Sequence, residues 1–277
     1  MTTTVTIDGT HGRMACLDSA TGPDDSRPAL LLVHGNSACK EVFAAQFAAP
    51  ELAGWRLVAP DLPGHGGSDD APAPEAAYTF AGYAEALEEV IGALRLERPA
   101  VFGWSLGGHA ALELLGRGAD LRGVMICGTP PVAPTMESLM AGFNIDPAAE
   151  NLTAKRDFTD EDALAYALHT GGVEGQVDPH LLEMVKRTDG RAREIMFGSV
   201  VSGAPLDERA IVAGMAVPFA VVNGAEDPFI KAAYFDTLAA PSLWAEGVVR
   251  VPGAGHAPFR QSPAAFNAHL AAFLRML

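Results

Sequence analysis

The sequence predicts an α/β protein with a mostly parallel central sheet, helices on both faces of that sheet, and a helical cap inserted late in it. Short apolar runs alternate with segments of helical periodicity, an order typical of parallel strands joined by right-handed crossovers. The alternation stops between residues 129 and 217, where helical patterns occur without a buried strand. Because so long an unpaired loop is improbable, we assign residues 129–217 to the cap and residues 1–128 and 218–277 to the core.

The composition is that of a soluble globular protein and argues against several function classes. Of the 277 residues, 49% are hydrophobic, and the net charge of −15 disfavours nucleic acids and anionic membranes as partners. We see neither a signal peptide nor an apolar run long enough for a membrane span, so a cytoplasmic location is expected. The odd number and wide spacing of the cysteines fit a reducing compartment and indicate no metal site; they are Cys16, Cys39 and Cys127.

Each element before the cap follows from a local pattern. Two alternating segments, TVTIDG and RMACLDS, predict an antiparallel hairpin of edge strands. Continuous apolar runs predict strands buried on both faces, and they are ALLLVHG (29–35), RLVAPDL (56–62), AVFGWS ending at Ser105, and RGVMICG (122–128). Helical spacing predicts helices between these strands, within residues 40–52, within 79–96, and in LGGHAALELLGRG after Ser105.

The cap and the last part of the core complete the pattern. Helical periodicity in the cap occurs in TMESLMAGF, DEDALAYALHT, PHLLEMVKRT and RAREIMFGSVVS. The core then resumes with FAVVNG (219–224), a helix near residues 231–238, VVRVPG (248–253) and a last helix over 263–277. Ligands of α/β sheets bind at the carboxyl ends of the strands, and we expect the cap to cover those ends.

The stretch GWSLGGH, residues 103–109, contains the pattern G-x-S-x-G between a strand and a helix. Glycine costs roughly 0.5–1 kcal/mol relative to alanine inside a regular element, so Gly103 and Gly107 indicate a crowded bend. Such a bend raises a serine above the sheet as a nucleophile elbow. An ordinary strand-to-helix turn is the alternative for this stretch alone. Together with the acid and base described next, the pattern predicts Ser105 as a nucleophile.

A nucleophilic serine requires a base, and the base requires an acid to orient it. In this type of fold the order along the chain is serine, acid, histidine. The strand FAVVNG leads into Glu226 and Asp227, and the strand VVRVPG leads into His256. We choose Asp227 because Pro228 restricts its backbone, and Glu226 is the alternative. These side chains are expected to converge near Ser105.

Acyl transfer also requires N–H donors for a developing oxyanion. The residue after the nucleophile, Leu106, supplies one backbone donor. The loop after the strand LLLV supplies the second, which makes Asn36 the candidate. Its side-chain amide could also donate, or Asn36 could instead only shape the turn. We expect His34 to be a packed residue and not a second base. The glycine-rich loop 61–69 lacks the lysine of a phosphate-binding loop, so His65 is interpreted as structural.

Together, HGNS, PDLPGHGGSD, GWSLGGH, NGAEDPF and GAGHAPF resemble the α/β-hydrolase superfamily over almost the whole chain. More narrowly, the chain resembles the α/β-hydrolase-fold N-acyl-homoserine lactonases, which open the lactone ring of bacterial quorum-sensing signals without a metal. The narrower resemblance lies in HGNSA, VFGWSLGGH, MICGTPPV, RTDGRAREIMF, VVNGAEDPF and AGHAPFRQSPAAF. Several of these segments belong to the cap or border it.

The resemblance implies a function for individual residues. It assigns the nucleophile, base, acid and oxyanion donors to Ser105, His256, Asp227, Asn36 and Leu106. It also implies that Tyr166 in the cap donates a hydrogen bond to substrate carbonyls, whereas periodicity alone favours a core position for Tyr166. The chain departs from the family at Asp227, where the family has glutamate; the shorter side chain keeps the same chemistry. No cofactor is implied, and no HxHxDH cluster for zinc ions is present.

The expected reaction is opening of an N-acyl-homoserine lactone through an acyl-enzyme on Ser105. An apolar channel between cap and sheet is expected to hold the acyl chain, with lining residues Trp104, Met136, Met140 and Phe143; Trp104 could instead be plain packing. A carboxylesterase acting on acyclic esters and an amidase that cuts the acyl amide are alternatives with the same triad. From another class, a signal receptor or a cofactor-free oxygenase could use the same scaffold. The sequence leaves the oligomeric state open.

Overall fold

A computed structural model describes residues 2–22, 25–146 and 148–277. Within these ranges the strands are β1 (Thr3–Gly9), β2 (Gly12–Asp18), β3 (Ala29–Val33), β4 (Arg56–Pro60), β5 (Ala100–Trp104), β6 (Gly123–Cys127), β7 (Phe219–Gly224) and β8 (Leu243–Val251). They form one sheet in the order β1-β2-β4-β3-β5-β6-β7-β8. The β1–β2 hairpin lies at one edge and pairs antiparallel with β4, and all other pairs are parallel. The predicted fold class is confirmed.

The α-helices connect and cover these strands. They are α1 (Ala44–Phe47), α2 (Pro74–Ala77), α3 (Phe80–Ala93), α4 (Leu106–Gly116), α5 (Met136–Gly142), α6 (Asp160–Gly171), α7 (Pro179–Arg187), α8 (Gly190–Val201), α9 (Glu208–Gly214), α10 (Pro258–Gln261) and α11 (Pro263–Leu274). Short 3-10 helices occur at Lys40–Phe43, Pro50–Leu52 and Ala232–Thr237. None of the helices in the described ranges is long and apolar enough to cross a membrane.

The apolar core lies on both faces of the sheet. Strands β3, β5, β6 and β7 are buried along their whole length. Successive side chains of a strand point to opposite faces, so Leu30 and Phe102 belong to one apolar cluster while Leu31 and Val101 belong to the other. Helices therefore cover both faces, which is why these strands are uniformly apolar and do not alternate.

Helices α5 to α9 lie between β6 and β7 in the chain and correspond to the segment predicted as a cap. Several hydrogen bonds join this segment to loops that follow core strands, and three of them reach the loops after three different strands. The Asn36 amide donates to Thr153 O, Asp189 N donates to Gly64 O, and the Asn144 amide donates to Ile230 O, over 2.9 to 3.2 Å. The inserted segment therefore packs on the carboxyl ends of β3, β4 and β7.

Several predicted elements differ in extent. Residues 40–52 form three short helical pieces and not one helix, because Pro50 holds Ala49 in an extended conformation. The helix expected near residues 231–238 is a short 3-10 helix, and the last helix ends at Leu274. Strand β8 begins at Leu243, earlier than predicted. Its first residues are partly exposed at the sheet edge, so they lack the apolar run that marks the buried strands.

Candidate active site

Ser105 lies at the sharp turn between β5 and α4. Its backbone has φ 53° and ψ −120°, a conformation that is unfavourable for a residue with a Cβ. The turn is possible because a Cβ on Gly103 would collide with Gly107, and a Cβ on Gly107 would collide with the Val33 carbonyl. Ser105 N donates to Cys127 O at 2.8 Å. The structure therefore shows the strained strand-to-helix bend expected from the glycine pattern.

His256 and Asp227 form a buried hydrogen-bonded pair. The distance from His256 Nδ1 to Asp227 Oδ2 is 2.7 Å, and both side chains are almost fully inaccessible to solvent. Asp227 Oδ1 accepts from Phe229 N at 2.9 Å, which holds the carboxylate in position. Because a carboxylate accepts, Nδ1 carries the proton and Nε2 is left as the basic nitrogen. The alternative acid, Glu226, is exposed.

The short segment of Gly128 and Thr129 lies against both the histidine and the serine. A Cβ on Gly128 would lie 2.6 Å from His256 Cε1 and 2.8 Å from His256 Nδ1. The next residue, Thr129, donates from Oγ1 to Ser105 O at 3.0 Å. Asn223 Oδ1 accepts from Gly128 N at 2.8 Å and fixes this segment to β7. Sequence reasoning missed Gly128 and Asn223, although each lies at the carboxyl end of a predicted strand.

The two predicted oxyanion donors lie on either side of the elbow. Leu106 is the first residue of α4, so its N–H has no acceptor within the helix and lies at the positive end of the helix dipole. Gly35, which precedes Asn36, lies next to the serine, because a Cβ built on Gly35 would be 3.1 Å from Ser105 Cβ. The side-chain amide of Asn36 donates one of its two hydrogens to Thr153 O in the cap. The backbone N–H and the second amide hydrogen of Asn36 can therefore both donate.

Tyr166 reaches this loop from the cap helix α6. Its hydroxyl lies 3.3 Å from Asn36 O, and only 5% of the residue is exposed. Burial raises the pKa of Tyr166, so the phenol keeps its proton and stays a hydrogen-bond donor. Arg193 on α8 approaches the same loop and donates to Ser37 Oγ at 3.1 Å.

The residues predicted to line an acyl channel occupy three different environments. Trp104 is buried beneath the histidine, and its Nε1 donates to His256 O at 2.9 Å, as expected of a packing residue. Phe143 is half-buried and packs its ring 6.0 Å from that of His109. Met136 and Met140 on α5 are 52% and 36% exposed. The structure brings Trp104 to the histidine and leaves the two methionines on the cap surface.

His34 and His65 lie below this site and are fully buried. His34 Nε2 accepts from Leu62 N at 2.9 Å, and Nδ1 donates to Gly35 O at 2.8 Å. His65 Nδ1 donates to Pro63 O at 3.0 Å. Both rings therefore hold loops together, in agreement with the structural interpretation of these residues. In the described ranges one group of three side chains could hold a metal ion, Cys39, Glu41 and His180, and it includes no residue of the candidate triad.

A family model described as the alpha/beta hydrolase family matches residues 30–269. The chain belongs to the α/β hydrolase family. The matched region includes the elbow serine, the buried acid and the histidine.

Among solved structures, the chain is similar to crystal structures of the N-acyl homoserine lactonase AidH. In the complex of AidH with N-butanoyl homoserine, the TM-score is 0.91 at 41% identity, and the match covers 99% of this chain and 96% of that chain. An AidH variant complexed with N-hexanoyl homoserine lactone also has a TM-score of 0.91, at 40% identity, with 99% and 97% coverage. The similarity therefore includes the cap as well as the core.

Curated relatives are less similar. The pimeloyl-[acyl-carrier protein] methyl ester esterase of Aromatoleum aromaticum is 29% identical over 248 residues, which are 86% of this chain and 94% of that protein. An uncharacterized protein of Mycobacterium tuberculosis is 38% identical over 91 residues, which are 32% of this chain and 25% of that protein. The latter match therefore concerns only a part of each protein.

Proposed function

We propose that this protein is a serine hydrolase that opens the lactone ring of N-acyl-homoserine lactones to give N-acyl-homoserine. The observation that carries the proposal is the similarity to AidH over 99% of the chain, cap included. The elbow serine and the buried histidine–aspartate pair support it, because together they provide a nucleophile, a base and an orienting acid. An N-acyl-homoserine lactone is then the small-molecule substrate.

In this proposal, His256 Nε2 removes the proton of Ser105 as Oγ attacks the lactone carbonyl. Asp227 keeps the other ring proton on Nδ1 and stabilises the imidazolium that forms. The carbonyl oxygen becomes an oxyanion, which accepts hydrogen bonds from Leu106 N–H and from the backbone N–H of Asn36. We assign the backbone N–H of Asn36 because Gly35, the residue before it, lies next to Ser105. The second hydrogen of the Asn36 side-chain amide, whose first hydrogen donates to Thr153 O, is the alternative donor. Such donors typically lower the barrier by about 3–4 kcal/mol each.

Collapse of the intermediate breaks the ring C–O bond, and His256 returns its proton to the departing alkoxide. The homoserine portion, still attached to its acyl chain, is then esterified to Ser105. A water molecule deprotonated by His256 hydrolyses this ester and restores the free serine. In this proposal the Tyr166 hydroxyl, which donates to Asn36 O at 3.3 Å, turns from that carbonyl to a substrate carbonyl, because a hydroxyl has only one hydrogen to donate.

Replacement of Ser105 by alanine tests the covalent route. We expect Ser105→Ala to lower kcat at least about a thousandfold, while the thermal unfolding temperature stays close to that of the wild type. The assay is mass spectrometry of the purified protein incubated with N-acyl-homoserine lactones near neutral pH, since alkaline buffer opens the ring unaided. The expected product is one water heavier than the substrate and closes again on acidification. Substantial turnover by a folded Ser105→Ala variant would contradict the proposal.

A carboxylesterase acting on acyclic esters is the second candidate. The similarity to the esterase of Aromatoleum aromaticum over 86% of this chain favours it, and it would use the same Ser105, His256 and Asp227. The same assay separates the candidates if p-nitrophenyl esters are included. Unchanged lactone with turnover of the acyclic esters would favour the esterase. Release of free homoserine lactone and a fatty acid would instead indicate an amidase.

A further inference from the structure

A cluster of three metal-ligating atoms joins the cap to the core. One ligand atom from each of Cys39, Glu41 and His180 lies within 4.8 Å of the other two. Cys39 and Glu41 belong to the core segment that follows β3, and His180 lies in the first turn of α7 in the cap. Among these atoms, Sγ and Nε2 are 4.0 Å apart, and Nε2 and the Glu41 oxygen are 3.8 Å apart.

These distances are close to those of a tetrahedral zinc site. Typical Zn–S, Zn–N and Zn–O bonds place sulfur and nitrogen ligands about 3.6 Å apart and nitrogen and oxygen ligands about 3.3 Å apart. The observed separations of 4.0 and 3.8 Å therefore need to contract by only about 0.5 Å. His180 is partly exposed on the cap surface, so a small rotation of its side chain can provide that contraction.

The surroundings of the cluster leave room for one ion. A cavity of about 20 Å³ lies here, lined by Cys39, Glu41, Val42, Asp178, His180, Leu181 and Arg260, and this volume is sufficient for a particle the size of a water molecule. Lys40 Nζ holds Glu41 Oε1 at 2.8 Å, which leaves the other carboxylate oxygen facing His180. Such an outer partner orients a ligating carboxylate.

We propose that Cys39, Glu41 and His180 bind a thiophilic divalent cation of the Zn²⁺ class, with water as the fourth ligand. A thiolate, an imidazole and one carboxylate favour Zn²⁺ over Mg²⁺ or Ca²⁺, which prefer oxygen ligands. Binding releases the Cys39 thiol proton to solvent, and His180 coordinates in its neutral form. Because the ligands come from core and cap, the ion fixes α7 to the segment that carries Asn36. The proposal uses no triad residue and stands independently of the proposed lactonase function.

Co²⁺ is the probe for the site because its spectrum reports a thiolate ligand. Metal-free full-length protein is titrated with Co²⁺, and then with Zn²⁺ in competition. We expect one Co²⁺ per chain, a thiolate-to-cobalt charge-transfer band, and the strong visible bands of tetrahedral coordination. Cys39→Ser should remove the charge-transfer band, whereas Cys16→Ser, at another buried cysteine, should retain it.

His180 supplies the decisive variant because its exposed side chain can be replaced without disturbing the core. We expect His180→Gln to weaken Zn²⁺ binding at least tenfold. His269→Gln, at a partly exposed histidine of α11 that pairs with Glu246 of β8, should leave the affinity unchanged. Zn²⁺ should also slow amide hydrogen exchange in α7 of the wild type and not of His180→Gln. A wild-type Co²⁺ spectrum without a thiolate band, or equal Zn²⁺ affinities for the two histidine variants, would overturn the proposal.

Discussion

At the residue scale, Gly128 combines a positive φ with close packing against the His256 ring. It has φ 62°, which costs a residue with a Cβ roughly 1–2 kcal/mol. A methyl group here would also lie within 2.8 Å of two atoms of the His256 ring. The imidazole is fixed on its other sides by Phe229 and Trp104, whose ring centroids lie 4.8 and 5.6 Å away. The ring therefore has little freedom to retreat.

Gly128→Ala is expected to reduce kcat by about a hundredfold, because displacement of a base by an ångström has an effect of that order. It should also lower the free energy of unfolding by about 1–2 kcal/mol through the backbone strain alone. Steady-state kinetics with a chromogenic ester and urea denaturation measure the two effects on the same preparation.

Gly118 provides the matched control. Its φ is 95°, and a Cβ built on it would have no neighbour within 4 Å. Gly118→Ala should thus cause a comparable loss of stability with unchanged kcat. If Gly128→Ala retains wild-type kcat, or if both variants lose activity equally, steric protection of His256 is not the function of Gly128.

At the element scale, α8 is tied to the rest of the molecule by one buried guanidinium. Arg193 donates to Lys155 O and Arg156 O at 2.7 Å and to Ser37 Oγ at 3.1 Å. Its guanidinium carbon also lies 3.8 Å from the centre of the Phe158 ring, a cation–π geometry. Burial lowers the pKa of Arg193. One side chain therefore connects α8, the preceding cap loop and the loop that follows β3.

Arg193→Met keeps the length of the side chain and removes all three hydrogen bonds. We expect a loss of about 1–3 kcal/mol of stability, because two partly buried hydrogen bonds from the charged guanidinium to main-chain carbonyls are lost. We also expect kcat to fall about tenfold, since Ser37 adjoins the proposed oxyanion donor Asn36. Thermal unfolding and kinetics on lactone and acyclic substrates test both effects.

Two further substitutions separate hydrogen bonding from charge and from general effects on α8. Arg193→Lys preserves the charge but lacks the planar fork of donors, so it should recover only part of the activity. Arg191→Met changes a residue of the same helix whose partly exposed guanidinium donates to Asp189. Activity should therefore change little in Arg191→Met. A loss of kcat in Arg191→Met equal to that in Arg193→Met would argue against a specific connection to the Asn36 loop.

At the scale of the whole molecule, two buried histidines couple stability to pH. Burial lowers the pKa of His34, and burial lowers that of His65 to about 3. The rings lie 5.2 Å apart, so protonation of one opposes protonation of the other. In an unfolded chain both would titrate near their ordinary value of about 6.5.

Between pH 6.5 and about 3 the unfolded chain binds more protons at these residues than the folded chain. The free energy of unfolding must therefore fall as the pH decreases through this range. For His65 alone, we expect a decrease with an upper limit of about 3 kcal/mol by pH 4. Urea denaturation at pH values from 4 to 7 measures this slope.

The contribution of His65 is isolated by comparing, between variants, the slope of the unfolding free energy against pH and not the unfolding free energy itself. His65→Asn keeps a donor near the Pro63 carbonyl and removes the titrating ring, so its stability should depend less steeply on pH. His269→Asn removes a partly exposed histidine and should retain the wild-type slope. A His65→Asn slope equal to that of the wild type would show that this histidine does not produce the pH dependence.

Much of this architecture is predictable from local patterns. The buried parallel strands are short apolar runs, and such runs favour few structures other than a buried strand. The elbow was also predictable, because the glycines on either side of Ser105, Gly103 and Gly107, form a pattern that is local in the sequence. The exact ends of helices and strands were less predictable where different local preferences of the chain compete. Pro50 divides the segment after β3, and the partly exposed beginning of β8 has no apolar signature.

Contacts between distant segments could not be predicted from the sequence. Arg193 and Ser37 are 156 positions apart, and Cys39 and His180 are 141 positions apart, so no spacing rule connects them. Gly128 follows a predicted strand, but its steric relation to His256 depends on how β6, β7 and β8 are arranged. The acid could be narrowed to two neighbours, and tertiary structure pairs Asp227 with the histidine.

The position of the inserted helices between β6 and β7 also bears on how such a protein can diverge. These strands are direct neighbours in the sheet, so the chain leaves the core and returns to it at adjacent points. Helices can therefore be lengthened, exchanged or lost there without altering the register of any strand pair. Recombination between homologues at these two junctions would produce chimaeras with a new pocket above an unaltered hydrolytic centre. The same junctions are natural boundaries for directed evolution of substrate range.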